Sequence, residues 1–383
     1  MKETYVIHVT KKCNMQCVYC YEQDKESEYT WEEIKNEVDN LLSNVKEAHI
    51  EYLGGEPCLA FDLIEKSYYY IKEKYTNVDD FTITTNGTIL NDRIIDFLKK
   101  NKDLHFSASL DGNKFSNQLR VIKLADNNVI NSYDLVISNL KRLQENNIDF
   151  TIHMVTHPYN VSYIFDSIIN YYEMGMKNID LGTVESTIKI DETYCNEFKK
   201  QVKKTIDYIF DNNISDLSVG IFNWLKPYDD ERTYVYDKNG KLIFESYGRV
   251  KEDYVSKLLK NKDYDVKRCN EKTEISEMIY DIRKFAYDYY QRRKNMGLLN
   301  NEKASQNISD CVGKVGYCEY VTDPKTDKLY TNTTLFEDPD TKDITEKIDK
   351  ILKMDEERDD DNIIAKALIE IIKRLDRIEK KIQ

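Results

Sequence analysis

Three cysteines stand close together in the run Cys13-Asn-Met-Gln-Cys17-Val-Tyr-Cys20. The spacing is C-x3-C-x2-C, and the run follows directly on the β-rich stretch YVIHVT. Thiolates this close can hold three irons of a cubane cluster and leave the fourth iron without a protein ligand. An open metal position marks a catalytic rather than a structural site. Zinc is the alternative, and it needs a fourth ligand such as Cys58 or His8. A second group follows at Gly54-Gly55-Glu56-Pro57. Glycines let backbone approach a ligand closely, and a glutamate can accept bonds from an ammonium. Polar clusters recur at Thr84-Thr85-Asn86-Gly87 and Ser109-Leu110-Asp111-Gly112, with Arg120 beyond. Asp111 is either a site residue or a turn aspartate before Gly112.

These groups need strands and helices to carry them. Six β-rich runs begin near residues 5, 49, 81, 104, 149 and 178, and each is followed by a helical pattern. Helices are expected near 31–45, 61–75, 91–100, 132–146 and 161–174. Repeated βα units predict a parallel sheet, and six units are too few for a closed eight-stranded barrel. An open partial barrel or a doubly wound sheet remains, and both carry functional groups at the C-terminal ends of the strands. The cysteine run, Gly54–Glu56, Thr85–Gly87 and Ser109–Gly112 all fall at such ends. After about residue 220 the rhythm breaks. Asn239-Gly240 signals a hairpin between two β-rich runs. Helices are expected near 253–259 and 274–293, and strand, turn and strand around DPKTDK within 311–336. Ile364, Leu368, Ile371, Leu375, Ile378 and Ile382 form a heptad seam, either packed on its own domain or available for dimerisation.

Composition narrows the function. With 383 residues, 40% hydrophobic and 11% aromatic, the chain has material for a large core. Its formal net charge of −13 argues against a nucleic-acid backbone as the main partner. No signal peptide and no apolar run long enough to span a bilayer is visible, so a cytoplasmic location without membrane contact is expected. In a reducing compartment, clustered cysteines suggest metal or catalysis rather than disulfides.

The cysteine run resembles the cluster motif of the radical S-adenosylmethionine (SAM) superfamily, including the aromatic before the third cysteine, Tyr19. Gly54-Gly55-Glu56-Pro57 resembles the family's motif that binds the methionyl amino group. TTNG and SLDG, with Asn86, Ser109 and Arg120, resemble segments of the SPASM/twitch-type subgroup that modifies peptides and proteins. The resemblance covers about residues 4–190. It implies a partial (β/α)6 TIM-like barrel over 1–220, a smaller SPASM-like α+β region over 221–340, and a terminal amphipathic helix within 341–383. It further implies a [4Fe-4S] cluster on Cys13, Cys17 and Cys20, with Tyr19, Gly54, Gly55, Glu56, Asn86, Ser109, Arg120 and Leu181 around SAM. Tyr19 would lie near the adenine and Leu181 would flank it. Reductive cleavage of SAM would generate a 5′-deoxyadenosyl radical that takes hydrogen from a peptide or protein substrate. A one-electron donor such as a flavodoxin or ferredoxin is then a partner.

The second half departs from that subgroup. Cys311-Val-Gly313, Tyr317-Cys318 and the segment after it look like the expected hairpin, but its hairpin glycine and closing cysteine are absent. The region is either a degenerate fold without a cluster or holds one auxiliary iron–sulfur cluster on Cys269, Cys311 and Cys318. Cys58 is a buried thiol or a hydrogen donor. The five histidines are 8, 49, 105, 153 and 157, and His153 faces either the cavity or its own surroundings. Alternatives to the peptide enzyme are a radical SAM enzyme of a small metabolite and a non-catalytic iron–sulfur or zinc interaction protein. With the first strand starting near Tyr5, a peptide is expected to dock at the barrel mouth, the C-terminal region or the tail.

Overall fold

The computed structural model describes residues 3–20, 25–43, 47–123, 129–184, 188, 190–223, 232–237, 242–246, 264–269, 274–298, 321–323 and 328–330. β1 (Glu3–Thr10), β2 (Ala48–Gly54), β3 (Val78–Thr85), β4 (Leu104–Ser109), β7 (Phe150–Thr156), β8 (Asn178–Thr183) and β9 (Ser218–Val219) lie side by side in that order in one sheet. Every neighbouring pair is parallel. The expected partial barrel is thus present with a seventh strand. β9 has two residues, too few to leave an alternation that the sequence could reveal.

Helices α1 (Trp31–Leu42), α2 (Phe61–Lys74), α3 (Asp92–Lys100), α4 (Tyr133–Glu145), α5 (Ile164–Glu173) and α6 (Glu192–Asp211) alternate with the strands. Their starts follow capping chemistry. Thr30 and Glu33 form a capping box on α1, and Asn91 and Asp191 accept from Ile94 N and Tyr194 N. The helices cover one face of the sheet. Ile50 and Tyr52, Phe81 and Ile83, Phe106 and Ala108, and Ile152 and Met154 are buried there in one continuous core. Period-2 alternation turns the residues between them to the opposite face. There Val6 and Leu53 form a small apolar pair separate from the main core. The rest of that face is polar, as described below.

The hairpin β5 (Val121–Lys123) and β6 (Val129–Asn131) interrupts the βα alternation between β4 and α4. Its strands are only three residues long, too short to leave an alternation in the sequence. The cysteine run docks on it by backbone alone: Gln16 N donates to Val121 O at 2.8 Å and Val18 N to Leu119 O at 2.9 Å. Beyond the barrel, β10 (Arg232–Asp237), β11 (Leu242–Ser246) and β12 (Tyr264–Cys269) form an antiparallel sheet in the order β11-β10-β12. α7 (Glu274–Asn295) packs on α6, with Arg293 2.8 Å from Asp211. β13 (Val321–Asp323) and β14 (Lys328–Tyr330) form the hairpin expected around DPKTDK. The helix expected near 253–259, Cys311, Cys318 and the heptad tail lie outside the described residues. No helix among the described residues is long and apolar enough to cross a membrane.

Two further contacts hold the cysteine run over the strand ends. The first is steric. Gly55 N donates to Thr10 O at 2.9 Å and Glu56 N to Lys12 O at 2.8 Å. A Cβ on Gly55 would lie 2.2 Å from Lys11 O. The glycines therefore serve a close approach of backbone to backbone, not only an approach to a ligand. The second contact is Asp111, whose side chain is fully buried. Its carboxylate lies 2.9 Å from Arg120 Nε, accepts from Val155 N at 3.1 Å and accepts a short bond from the Tyr19 hydroxyl. Its own N–H donates to Asn117 Oδ1 at 3.0 Å, and its carbonyl accepts from Asn160 Nδ2 at 3.2 Å. Asp111 thus joins the cysteine run, the end of β4, the turn before β5 and the loop after β7. It is bonded to the cysteine run as well as being the turn aspartate before Gly112, whose φ is 118°.

Asp111→Ala leaves Arg120 buried without its counter-charge and is expected to cost about 3–5 kcal/mol. Anaerobic denaturant unfolding measures it, and an unchanged midpoint would show that Asp111 is not a joint of the fold. Gly55→Ala is expected to cost about 1–3 kcal/mol, the range for overpacking. It should also lower the iron retained per chain after anaerobic loading, and full iron retention would count against the steric account.

Candidate functional site

Cys13, Cys17 and Cys20 are all half-buried at the C-terminal edge of the sheet. Cys17 senses the charge of both other thiols. Burial pushes its thiol up to about 12, while the Arg120 charge works in the opposite direction. A metal ion reverses this cost, because a coordinating thiol loses its proton outright. Cys13 is the most supported of the three. Its sulfur accepts from Met15 N at 3.3 Å and from Asn86 Nδ2 at 3.8 Å.

Zinc and a cubane ask for different things. Zinc draws its ligands to one point at about 2.0–2.3 Å. Among the described residues, no three His, Cys, Asp or Glu side chains are grouped to hold a single ion. A cubane gives each thiolate a different iron, so its ligands surround a volume rather than a point. Cys58, one of the two candidate fourth zinc ligands, donates instead to Thr85 Oγ1 at 3.7 Å beneath Glu56. The three thiols therefore fit the cluster better than the ion.

Several residues expected around SAM do other work. Glu56 is fully buried, and its carboxylate accepts from Cys58 N at 2.9 Å, Thr85 Oγ1 at 2.6 Å and Asn86 N at 2.7 Å. Burial raises its pKa despite those three bonds. Its carboxylate ties the ends of β2 and β3 together. Asn86 is likewise turned to the cysteine run, donating to Asn14 Oδ1 at 2.9 Å as well as toward Cys13. Hydrogen bonds to thiolate sulfurs are among the factors that set a cluster's potential. Leu181 is 3% exposed within the helix-side core. Alternation turns Asp180 and Gly182 to the other face, so Leu181 does not reach the site. The sequence shows an apolar residue there, but strand phase decides its direction.

Tyr19 and Arg120 do converge. Ser109 ends β4 on the polar face, in register with His153 of β7. The Arg120 guanidinium stands 5.4 Å from the centre of the Tyr19 ring, and its Nε faces Asp111. Beside Tyr19 lies a residue that sequence reasoning passed over. The His157 ring is 5.6 Å from that of Tyr19 and 1% exposed, and neither of its nitrogens has a hydrogen-bond partner. Burial drives its pKa down to about 4, so the ring is neutral at physiological pH. A buried polar group normally finds a partner. Two orphaned nitrogens beside the cysteine run fit a polar ligand such as a nucleoside. The signal in the sequence was a histidine just past a strand end.

The polar face of the sheet forms the concave wall below these residues. Glu51 and Thr84 are hydrogen-bonded across β2 and β3 at 2.5 Å, and His49 and Asp80 are 3.0 Å apart. His105 and Thr151 are 2.8 Å apart, and His153 and Asp180 2.9 Å. The inward positions of the described strands carry Glu51, Asp80 and Asp180 and neither lysine nor arginine. A closed barrel of this kind is filled by bulky branched side chains. This wall is instead a hydrogen-bonding surface of negative sign.

Comparison with known proteins agrees with this geometry. Residues 7–168 match the model of the radical SAM superfamily. Uncharacterized protein MJ0907 of Methanocaldococcus jannaschii is 28% identical over 62% of this chain and 80% of its own. Fe-coproporphyrin III synthase of Methanosarcina barkeri is 32% identical over 42% of this chain and 38% of its own. The structure of native anSMEcpe with bound AdoMet and Cp18Cys peptide has the same fold, with a TM-score of 0.50 and 19% identity over 58% of this chain and 64% of that one. This chain thus spans less than two thirds of the synthase and of anSMEcpe. The partial barrel, the cysteine run at its rim and the match agree: residues 7–168 form a domain of the radical SAM superfamily, whose enzymes use a [4Fe-4S] cluster and S-adenosylmethionine.

Proposed function

We propose that this radical SAM enzyme removes a hydrogen atom from a side chain of a peptide or protein. Cys13, Cys17 and Cys20 would hold the cluster. When bound, the cluster and SAM supply an electron and a 5′-deoxyadenosyl radical. The chain's own residues bind, orient and exclude water. Tyr19 and His157 would contact the nucleoside, with Ser109 near the ribose. Arg120, fixed at Nε by Asp111, has further donors for the methionyl carboxylate. Gly54, Gly55, Glu56 and Asn86 hold the cysteine run in place. Residues 1–220 would be the catalytic unit and 221–340 a smaller companion domain, with 341–383 a helical tail suited to dimerisation. An external one-electron donor of the flavodoxin or ferredoxin type would serve the cluster.

The observation that carries the peptide reading is the sign of the concave wall. Glu51, Asp80 and Asp180 line it without a lysine or arginine among the described inward positions. Such a wall repels a nucleoside triphosphate or a porphyrin carboxylate. A peptide offers neutral amides and donor side chains instead. The fold shared with anSMEcpe, crystallised with a peptide, supports the same substrate class. The runner-up is a small neutral or cationic metabolite, which the same wall would accept.

Anaerobic reconstitution with iron, sulfide, SAM and dithionite tests the proposal. Wild-type protein is expected to release 5′-deoxyadenosine, faster when a peptide library is added than with nucleoside triphosphates or porphyrins. Stimulation by the anionic compounds alone would overturn the peptide reading. Cys17→Ala should lose SAM cleavage and most of the absorbance at about 400 nm that thiolate-bound clusters give. Undiminished cleavage in that variant would remove the cysteine run from the site.

A further inference from the structure

One ion pair on the concave wall takes no part in holding the cluster or SAM. His153 is the fourth residue of β7 and Asp180 the third of β8, and both point inward. His153 Nδ1 lies 2.9 Å from Asp180 Oδ2. The side chains are 34% and 55% exposed, so water and solutes reach them. A Cβ on Gly220 would lie 2.7 Å from Asp180 Oδ1, so a side chain there would crowd the carboxylate. A Cβ on Gly182 would lie 3.7 Å from His153 Nε2, an ordinary contact. The wall beside Nε2 is therefore open backbone.

The pair fixes the chemistry of the exposed nitrogen. An ionised carboxylate only accepts, so Nδ1 must carry the proton. In the neutral ring Nε2 then presents a lone pair. No described residue donates to it. His153 is in register with Ser109, at the end of the strand that faces the cysteine run. A group held at Nε2 thus sits at the level of the reacting centre rather than at the floor of the barrel.

We propose that the His153–Asp180 pair recognises the substrate: Nε2 of His153 accepts a hydrogen bond from an O–H or N–H of the residue to be modified. The substrate residue is then one with a donor side chain, such as serine, threonine, tyrosine or lysine. This deepens the peptide reading and rests on it. The described strand positions around Nε2 carry no lysine or arginine, which favours the same class. Desolvation disfavours the imidazolium, but the Asp180 bond outweighs it and raises the His153 pKa. Asp111 adds to that effect and Arg120 opposes it, while the charge of Arg283 of α7 helps hold the Asp180 pKa down. Protonation converts Nε2 from acceptor to donor, so substrate affinity should fall as pH drops through the His153 pKa.

The test uses a peptide set differing at one deuterated residue, Ser, Thr, Tyr, Lys, Val or Leu, with deuterium in 5′-deoxyadenosine read by mass spectrometry. Transfer is expected from the donor residues and not from Val or Leu. His153→Phe should raise KM about tenfold, the loss of one strong hydrogen bond, with a smaller change in kcat. Asp180→Asn should move the acid limb of kcat/KM to lower pH by about one unit. Gly182→Ala, which fits without strain, should raise KM by narrowing access to Nε2. Transfer from Val or Leu alone, or a pH profile untouched by Asp180→Asn, overturns the recognition role and leaves the peptide reading standing. Should no peptide transfer deuterium while deuterated ribonucleosides do so with the same Asp180→Asn pH shift, the peptide reading falls and the donor recognition holds. Transfer from none of these probes overturns both.

Discussion

A single buried carboxylate, that of Asp111, sets where the reactive end of this barrel is. It receives the Tyr19 hydroxyl, the Arg120 guanidinium and the Val155 N–H, each from a different segment. A charge in such a place is costly unless every partner is present. The four segments must therefore arrive together, and the cysteine run is held by the same bonds that close the strand ends. Arg120 serves two neighbours at once. Its charge faces Asp111 on one side and acts on Cys17 on the other. The electrostatics that stabilise the fold thus also lower the cost of ionising Cys17.

The sheet divides the chain into two chemistries. Its outer face, under the helices, carries the continuous apolar core that pays for folding. Its inner face has only a small apolar patch at Val6 and Leu53 and is otherwise laced by side-chain hydrogen bonds. Glu51 and Thr84, His49 and Asp80, His105 and Thr151, and His153 and Asp180 pair across adjacent strands, so much of the wall's polarity is satisfied by the wall itself. That arrangement gives up burial on one face, and what it provides is a surface able to grip a hydrogen-bonding guest.

Much of this was legible in the sequence, for physical reasons. The βα rhythm is a local signal, and it located six strands and the helices α1 to α5 to within a few residues. The cysteine spacing is also local. What the sequence hid depends on distant contacts or on strand phase. The bonds from Thr85 and Asn86, some thirty positions away, that make Glu56 a tie between two strands cannot be read from its own neighbours in the sequence. Leu181 has the right type but the wrong side of a strand. β5 and β6 are too short for periodicity, and β9 shorter still. His157 needed the Tyr19 ring beside it before its lack of partners meant anything.

The docking of the cysteine run on the segment 119–122 has a consequence for biosynthesis. The thiols are made early, whereas the backbone that holds them, Leu119 O and Val121 O, comes about a hundred residues later. At synthesis rates of about 5–20 residues per second, that gap lasts roughly 5–20 s. During it, three thiols emerge without the wall that shapes their cavity. Cluster delivery should thus be timed to follow emergence of the first half of the chain, and oxidants would find these sulfurs most vulnerable on the ribosome.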